Sequence, residues 1–184
     1  MSGYVKASKS AGSGKAAGKS AMNWAPSART RNVHVDVFAK TSKEGFVEFS
    51  HKWKFEDEPP PPDPDGMIDL PAGKTAYQLH FHLKDHTDPK KDLSFIDPCS
   101  EAMWVAVGGA CPTCAGNGAG QIQFNHPASQ HQLIVDDLNS NVPAMIFKYA
   151  LRFEGAEGQQ AGNPPKQCPP YEYDPDFKNG GGNT

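Results

Sequence analysis

The spacing of two cysteines gives this sequence its first candidate site. In the segment CPTCAGNGAG, Cys111 and Cys114 are separated by two residues, and glycines follow at every second position. Two thiolates at this spacing bind a soft metal such as zinc, form a local disulfide or carry out redox chemistry. The remaining cysteines, Cys99 and Cys168, are 69 residues apart. A four-thiolate site therefore requires the fold to bring them together.

The same segment resembles one copy of the C-x-x-C-x-G-x-G repeat in the zinc-binding region of DnaJ-type chaperones. In that family, paired repeats supply four thiolates to each metal. This sequence has a single copy, so the other ligands would be Cys99 and Cys168 or, in their place, histidines such as His126 and His131. A thioredoxin-like redox pair requires a following helix, and the glycines after Cys114 predict none. The plainest interpretation is a glycine-rich surface loop with two free thiols.

Histidines in the segment HFHLKDH form the second candidate site. His80 and His82 stand two positions apart on a predicted strand, so both side chains point to the same face. With His34, His86 or Asp88 as a third ligand, this pair would bind zinc, copper or iron. The alternation also explains both histidines without any ligand, as solvent-facing residues of a half-buried strand.

No pattern in the sequence indicates catalysis. There is no G-x-S-x-G, no H-E-x-x-H and no glycine-rich dinucleotide-binding loop. Asp136 and Asp137 lie on a predicted strand, where neighbouring side chains point to opposite faces. The segment ending at Ser20 departs from the phosphate-binding loop pattern, because Ser13 stands at its first glycine position. We therefore expect a protein that is not an enzyme.

The elements that would position these side chains are predicted to be strands. Residues 75–83 alternate most clearly, with Tyr77 and Leu79 facing one way and the histidines the other. Short strands separated by loops rich in Gly, Pro and Asp indicate a sandwich or a barrel. The proline-rich segment 56–66 predicts a stiff, extended loop, and Pro175 is expected to end the pairing of the last strand. Further strands are predicted at 32–39, 45–53, 102–107, 121–124, 132–138, 146–153 and 171–173.

Five segments carry a resemblance to a family: GMIDLPAGKTAYQLHFHL, AMWVAVGGACPT, HQLIVDDLNSN, FKYALRFEG and YEYDPDFKNGGG. Their order resembles that in small uncharacterised bacterial proteins of the DP-EP family, over roughly residues 33–182. The resemblance implies a single antiparallel β-sandwich, cupredoxin-like or immunoglobulin-like. It implies no catalytic residue.

Charge is distributed unevenly along the chain, whose formal net charge is −3. Residues 1–32 contain six basic residues and no acidic one, and the remainder contains 12 basic and 21 acidic residues. Because residues 2–20 are almost entirely Ser, Gly, Ala and Lys, we expect a flexible basic arm over residues 1–30. The sandwich is expected over 31–178, with a flexible glycine-rich tail at 179–184.

Composition also indicates where in the cell the protein is located and which partners it binds. No run approaches the ~20 apolar residues of a membrane helix, and no apolar signal-peptide core is present, so we expect a cytoplasmic protein without membrane contact. Lysines without interleaved aromatics argue against nucleic acid as a partner. The leading hypothesis is a non-enzymatic binding or self-association module, with a protein partner or a homo-oligomer and no cofactor. The alternative is a zinc- or copper-binding protein that uses Cys111 and Cys114, or His80 and His82.

Overall fold

A computed structural model describes residues 30–71, 75–108, 112–140, 144–155 and 171–180. The predicted arm (apart from Thr30), Cys111, Cys168 and most of the predicted tail lie outside these residues. The described residues form strands joined by loops and one four-residue helix, α1 (Cys99–Ala102). The strands are β1 (Thr30–Thr41), β2 (Val47–Phe55), β3 (Ile68–Leu70), β4 (Ala76–His86), β5 (Ser94–Phe95), β6 (Met103–Val107), β7 (Ile122–Gln123), β8 (Gln132–Asp137), β9 (Met145–Glu154), β10 (Tyr171–Tyr173) and β11 (Asp176–Asn179).

The first sheet has the order β2-β1-β4-β8-β7. Its β1–β4 pair is parallel, and its other pairs are antiparallel. Val33, Val35 and Val37 of β1 are fully buried, and the residues between them are half-buried on the opposite face. The same alternation continues in β4, as the sequence predicts. We call the face opposite the core the outer face of the first sheet.

The second sheet is built around β9, which pairs with β5 and β6 on one side and with β10 and β11 on the other. Pro175 lies between β10 and β11, and its carbonyl accepts a hydrogen bond from the N–H of Tyr149 at 3.2 Å. β10 ends at Tyr173, before Pro175, but pairing resumes at Asp176, so the expectation that 171–173 is the last strand is wrong. Proline removes only a donor, and its carbonyl still serves the neighbouring strand. β11 also pairs in parallel with β3.

Aromatic and aliphatic side chains from both sheets form one core. Phe81 of the first sheet and Tyr149 of the second have ring centroids 5.7 Å apart, and Phe49 stacks on Phe153 at 5.0 Å. The predicted all-β sandwich is confirmed, and most of its strand pairs are antiparallel. The narrower cupredoxin-like or immunoglobulin-like assignment stays a prediction.

The proline-rich loop, residues 56–66, covers part of the β2 edge. The N–H of Trp53 donates to the carbonyl of Pro64 at 2.9 Å, and a ring nitrogen of His51 lies 3.0 Å from the carbonyl of Gly66. A free edge strand offers unpaired donors to other chains, and this loop occupies some of them. Within the described residues, no helix is long and apolar enough to cross a membrane.

Candidate metal-binding site

Parallel pairing of β1 with β4 brings three histidines together on the outer face of the first sheet. His34 stands directly opposite His80, and Asp36 stands opposite His82. Side chains on one face of paired strands lie close enough to contact one another. We call His34, His80 and His82 the histidine cluster. The sequence predicted two of its members on one face and named His34 as one candidate for the third.

The distance between two ring nitrogens is the central feature of the cluster. Nδ1 of His34 lies 3.3 Å from Nε2 of His82, and the two rings stack with centroids 5.6 Å apart. Two nitrogens bound to one tetrahedral zinc at about 2.0–2.1 Å lie about 3.3–3.4 Å from each other. The pair therefore has the donor spacing that a single tetrahedral ion requires.

His80 is the third member of the cluster, and its ring has an unmet hydrogen-bonding position. Its ring centroid lies 5.1 Å from that of His34 and 6.4 Å from that of His82. Its Nε2 atom is buried and has no hydrogen-bond partner within the described residues. Buried polar atoms are normally paired, so an unpaired one indicates a bound water, an ion or a functional role.

Burial favours the neutral form of two of the histidines. It lowers the pKa of His80, with smaller contributions from the neighbouring His34 and His82. Burial also lowers the pKa of His82, and the carboxylate of Asp36 opposes this effect. A lowered imidazole pKa leaves the ring unprotonated at neutral pH, which is the form that binds metals.

A carboxylate lies beside the histidine cluster but is too far from it to be a ligand. Oε1 of Glu56 lies 3.9 Å from Nε2 of His34, while its Oε2 accepts a hydrogen bond from Asn32 at 2.6 Å. A carboxylate on this side favours the proton on Nε2, which leaves Nδ1 of His34 unprotonated and directed toward Nε2 of His82. Sequence reasoning missed Glu56. Its only signal is its position immediately after β2, where its N–H pairs with the carbonyl of Asn32.

His126 belongs to a polar network beside the histidine cluster. Its Nε2 lies 3.3 Å from the carboxylate of Asp136, which is 2% exposed. Gln78 and Asn125 each donate to Asp136 at 3.0 Å. The network satisfies a buried carboxylate on β8, and a positive charge on His126 would further lower the pKa of His80.

Two other predicted ligands lie elsewhere. His86 stacks on Phe38 with centroids 6.2 Å apart, and the N–H of Asp88 donates to the hydroxyl of Thr41. Among the residues that the structure describes, no three His, Cys, Asp or Glu side chains are already arranged to hold a metal ion. The cluster is a spaced pair with a third imidazole in ring contact, and His80 must rotate to join it.

The cysteine site stays a prediction, because Cys111 and Cys168 lie outside the described residues. Cys114 is an exposed free thiol, and Cys99 is a half-buried free thiol whose sulfur lies 3.8 Å from the carbonyl of Phe124. The loop after Cys114 runs along β6, where the N–H of Val105 donates to Gly116 at 2.9 Å.

Packing explains two glycines of the C-x-x-C-x-G-x-G pattern. A Cβ atom on Gly116 would lie 2.7 Å from the carbonyl oxygen of Val105, and one on Gly118 would lie 2.8 Å from the ring of Phe147. Both distances are shorter than carbon side chains tolerate. These glycines therefore allow the loop to lie flat on the second sheet, whether or not a metal binds nearby.

No protein-family model matches the chain, and no curated protein sequence matches it. The resemblance to proteins of the DP-EP family therefore stays a prediction, and the geometry of the described residues carries the functional argument.

Proposed function

We propose that this protein binds a divalent transition-metal ion, zinc or copper, through the histidine cluster, and that it does so as a binding protein rather than an enzyme. The observation that carries the proposal is the 3.3 Å separation of His34 Nδ1 and His82 Nε2. The unpartnered Nε2 of His80 supplies the third ligand after rotation of its side chain. Imidazole suits both zinc and copper, and copper binds the more tightly of the two at a given nitrogen site.

The surroundings support a neutral, three-nitrogen site that leaves one position for water or an anion. Three protein ligands and an open fourth position are common for zinc. The charge of Glu56 would favour the proton on the far nitrogen of His34, and Asp36 would partly offset the positive charge of the ion. The half-exposed position of the rings gives an ion direct access from solvent.

Calorimetric titration of tag-free, EDTA-treated protein with zinc chloride or copper sulfate tests the proposal. We expect about one ion per chain, and loss of that binding in the double variant His34→Ala with His82→Ala. His86→Ala is the matched control, because His86 lies on the same strand outside the cluster. Unchanged binding in the double variant would overturn the proposal.

A second pair of variants separates the two predicted metal sites. Cys111→Ser with Cys114→Ser removes the cysteine pair and leaves the histidine cluster intact. We expect this variant to bind zinc as the unchanged protein does. Loss of the ion in the cysteine variant alone would assign it to the cysteine loop.

Self-association is the second candidate function, and exposed apolar side chains support it. Val107 is 46% exposed and Ile146 is 49% exposed. Val107 stands opposite Phe147 at the end of β6, and Ile146, the residue before Phe147 in β9, faces the other side of the second sheet. Exposed apolar side chains favour contact with another protein surface, here a second copy of this chain.

Light scattering over a concentration series tests self-association. We expect Val107→Lys with Ile146→Lys to shift the protein toward the monomer. The control is Phe46→Lys, because Phe46 is 72% exposed but lies at the turn between β1 and β2. A strictly monomeric protein at every concentration would reject this candidate and leave the metal proposal unaffected.

A further inference from the structure

A cleft of about 240 Å³ opens between the proline-rich loop and the outer face of the first sheet. Pro60 and Pro64 form one wall, and residues of β1 and β2 form the other. Its lining is mainly apolar, and His34 belongs both to the cleft and to the histidine cluster. Sites for drug-sized ligands occupy about 300–1,000 Å³, so the occupant of this cleft is a smaller molecule.

Contacts on both sides of the cleft hold the loop in place. The Trp53 N–H binds the carbonyl of Pro64, Lys52 lies 3.6 Å from the carboxylate of Asp65, and Arg31 pairs with Glu58. Proline fixes its own backbone and restricts the residue before it. The walls are therefore set before any ligand arrives, which lowers the entropic cost of binding.

The charged side chains that line the cleft leave one cation without a partner. Lys52 is paired with Asp65, and Asp36 is paired with Lys84 at 3.7 Å. Lys54 has no ion pair within the described residues, and it stands opposite His34 in the strand register. The cleft therefore offers one uncompensated ammonium group beside an imidazole and two prolines.

We propose that this cleft binds a small monocarboxylic acid with an apolar tail. The carboxylate pairs with the ammonium of Lys54 near His34, and the tail packs between Pro60 and Pro64. Charge-assisted hydrogen bonds give such pairs their strength and direction. The site needs no metal, so this proposal and the metal proposal stand or fall separately.

Nuclear magnetic resonance with benzoate as the probe tests the proposal in the presence of EDTA. Trp53 lines the cleft, and Trp53→Phe assigns its indole signal for use as a reporter. We expect saturable shifts at Trp53 and Lys54, and affinity at least about tenfold weaker in Lys54→Gln. Lys43→Gln is the control, because Lys43 is exposed in the turn between β1 and β2.

Two further ligands define the chemistry of the occupant. Benzyl alcohol retains the ring but lacks the charge, and we expect it to bind at least about tenfold more weakly than benzoate. The tripeptide N-acetyl-Gly-Gly-Phe ends in the same groups but is too long for the cleft, and we expect no saturable binding. Absence of benzoate binding, equal binding of the alcohol or tighter binding of the peptide would each overturn the proposal.

Discussion

His34 and His80 stand directly opposite each other on two parallel strands, and their ring centroids are 5.1 Å apart. His34 and His80 are 46 positions apart in the chain, so no local sequence pattern relates them. The register that places them together also places His82 within 3.3 Å of His34. A single strand pairing thus determines whether the three histidines act together.

Metal affinity is expected to depend on pH in a way that reflects the lowered pKa values of His80 and His82. Burial holds both pKa values below 6.5, so protons compete with the ion only in acid. Affinity should stay nearly constant from pH 8 to pH 7 and fall below about pH 6.5. Below the pKa of each imidazole that must release a proton, the affinity falls by about a further tenfold per pH unit. Calorimetric titration with zinc across pH 5–8 measures this, and a loss between pH 8 and pH 7 would contradict it.

A buried histidine should make the folded state sensitive to acid. His51 is 6% exposed, and burial lowers its pKa despite the nearby carboxylates of Asp63 and Asp65. The unfolded chain then binds more protons below about pH 6.5, so the free energy of unfolding falls as pH decreases below that value. We expect His51→Gln to reduce this fall, and the exposed His131→Gln to leave it unchanged. Urea unfolding from pH 5 to pH 8 measures both, and identical curves would contradict the role of His51.

Tyr173 should make the free energy of unfolding fall at alkaline pH. Its hydroxyl lies 2.6 Å from Nδ1 of His51, and burial, followed by the charge of Asp65, raises its pKa to about 12. The unfolded chain ionises near pH 10 while the folded chain does not, so stability is complete below pH 10 and is lost as pH rises toward 12. Tyr173→Phe should cost about 1–2 kcal/mol at pH 7 and weaken the alkaline decline. Urea unfolding at pH 7 and pH 10.5 checks this, with Tyr171→Phe as control.

The sequence predicted the face of each histidine but not the partner of each strand. Period-two alternation shows that His80 and His82 lie opposite the core residues, because side-chain direction is a local property of a strand. It does not show that β1 pairs with β4 in parallel, since β1 would bury the same apolar face beside any other strand of the sheet. His34 could therefore be named only as one of several third ligands.

For the same reason, local sequence patterns did not predict the shortest strands or the polar neighbours of the histidine cluster. β3 and β5 have three and two residues, too few for a period to be recognised. Glu56 approaches His34 only because the proline-rich loop begins at the end of β2. In the cysteine segment, the pattern was recognised, but contact with β6 accounts for Gly116 and Gly118.

A matched pair of glycine variants should separate steric clash from backbone strain. Gly118 and Gly120 have φ values of 56° and 84°, which are unfavourable for a residue with a side chain. A Cβ on Gly118 would also lie 2.8 Å from Phe147, whereas one on Gly120 meets no atom within 4 Å. We expect Gly118→Ala to cost about 1–3 kcal/mol more than Gly120→Ala in urea unfolding. Equal costs would show that the loop is not packed on Phe147.

The strand after Pro175 should contribute strongly to stability, although it has only four residues. Phe177 is fully buried and stacks on Phe147 with centroids 4.9 Å apart, between β9 and β3. Phe177→Ala should therefore lower the free energy of unfolding by about 3–5 kcal/mol. Its neighbour Lys178 forms a solvent-exposed pair with Asp69 at 3.3 Å, and Lys178→Ala should cost at most about 1 kcal/mol. Urea unfolding of both variants measures the difference. Similar small losses would mean that β11 does not hold the second sheet together, and that pairing of β9 with β5, β6 and β10 is sufficient.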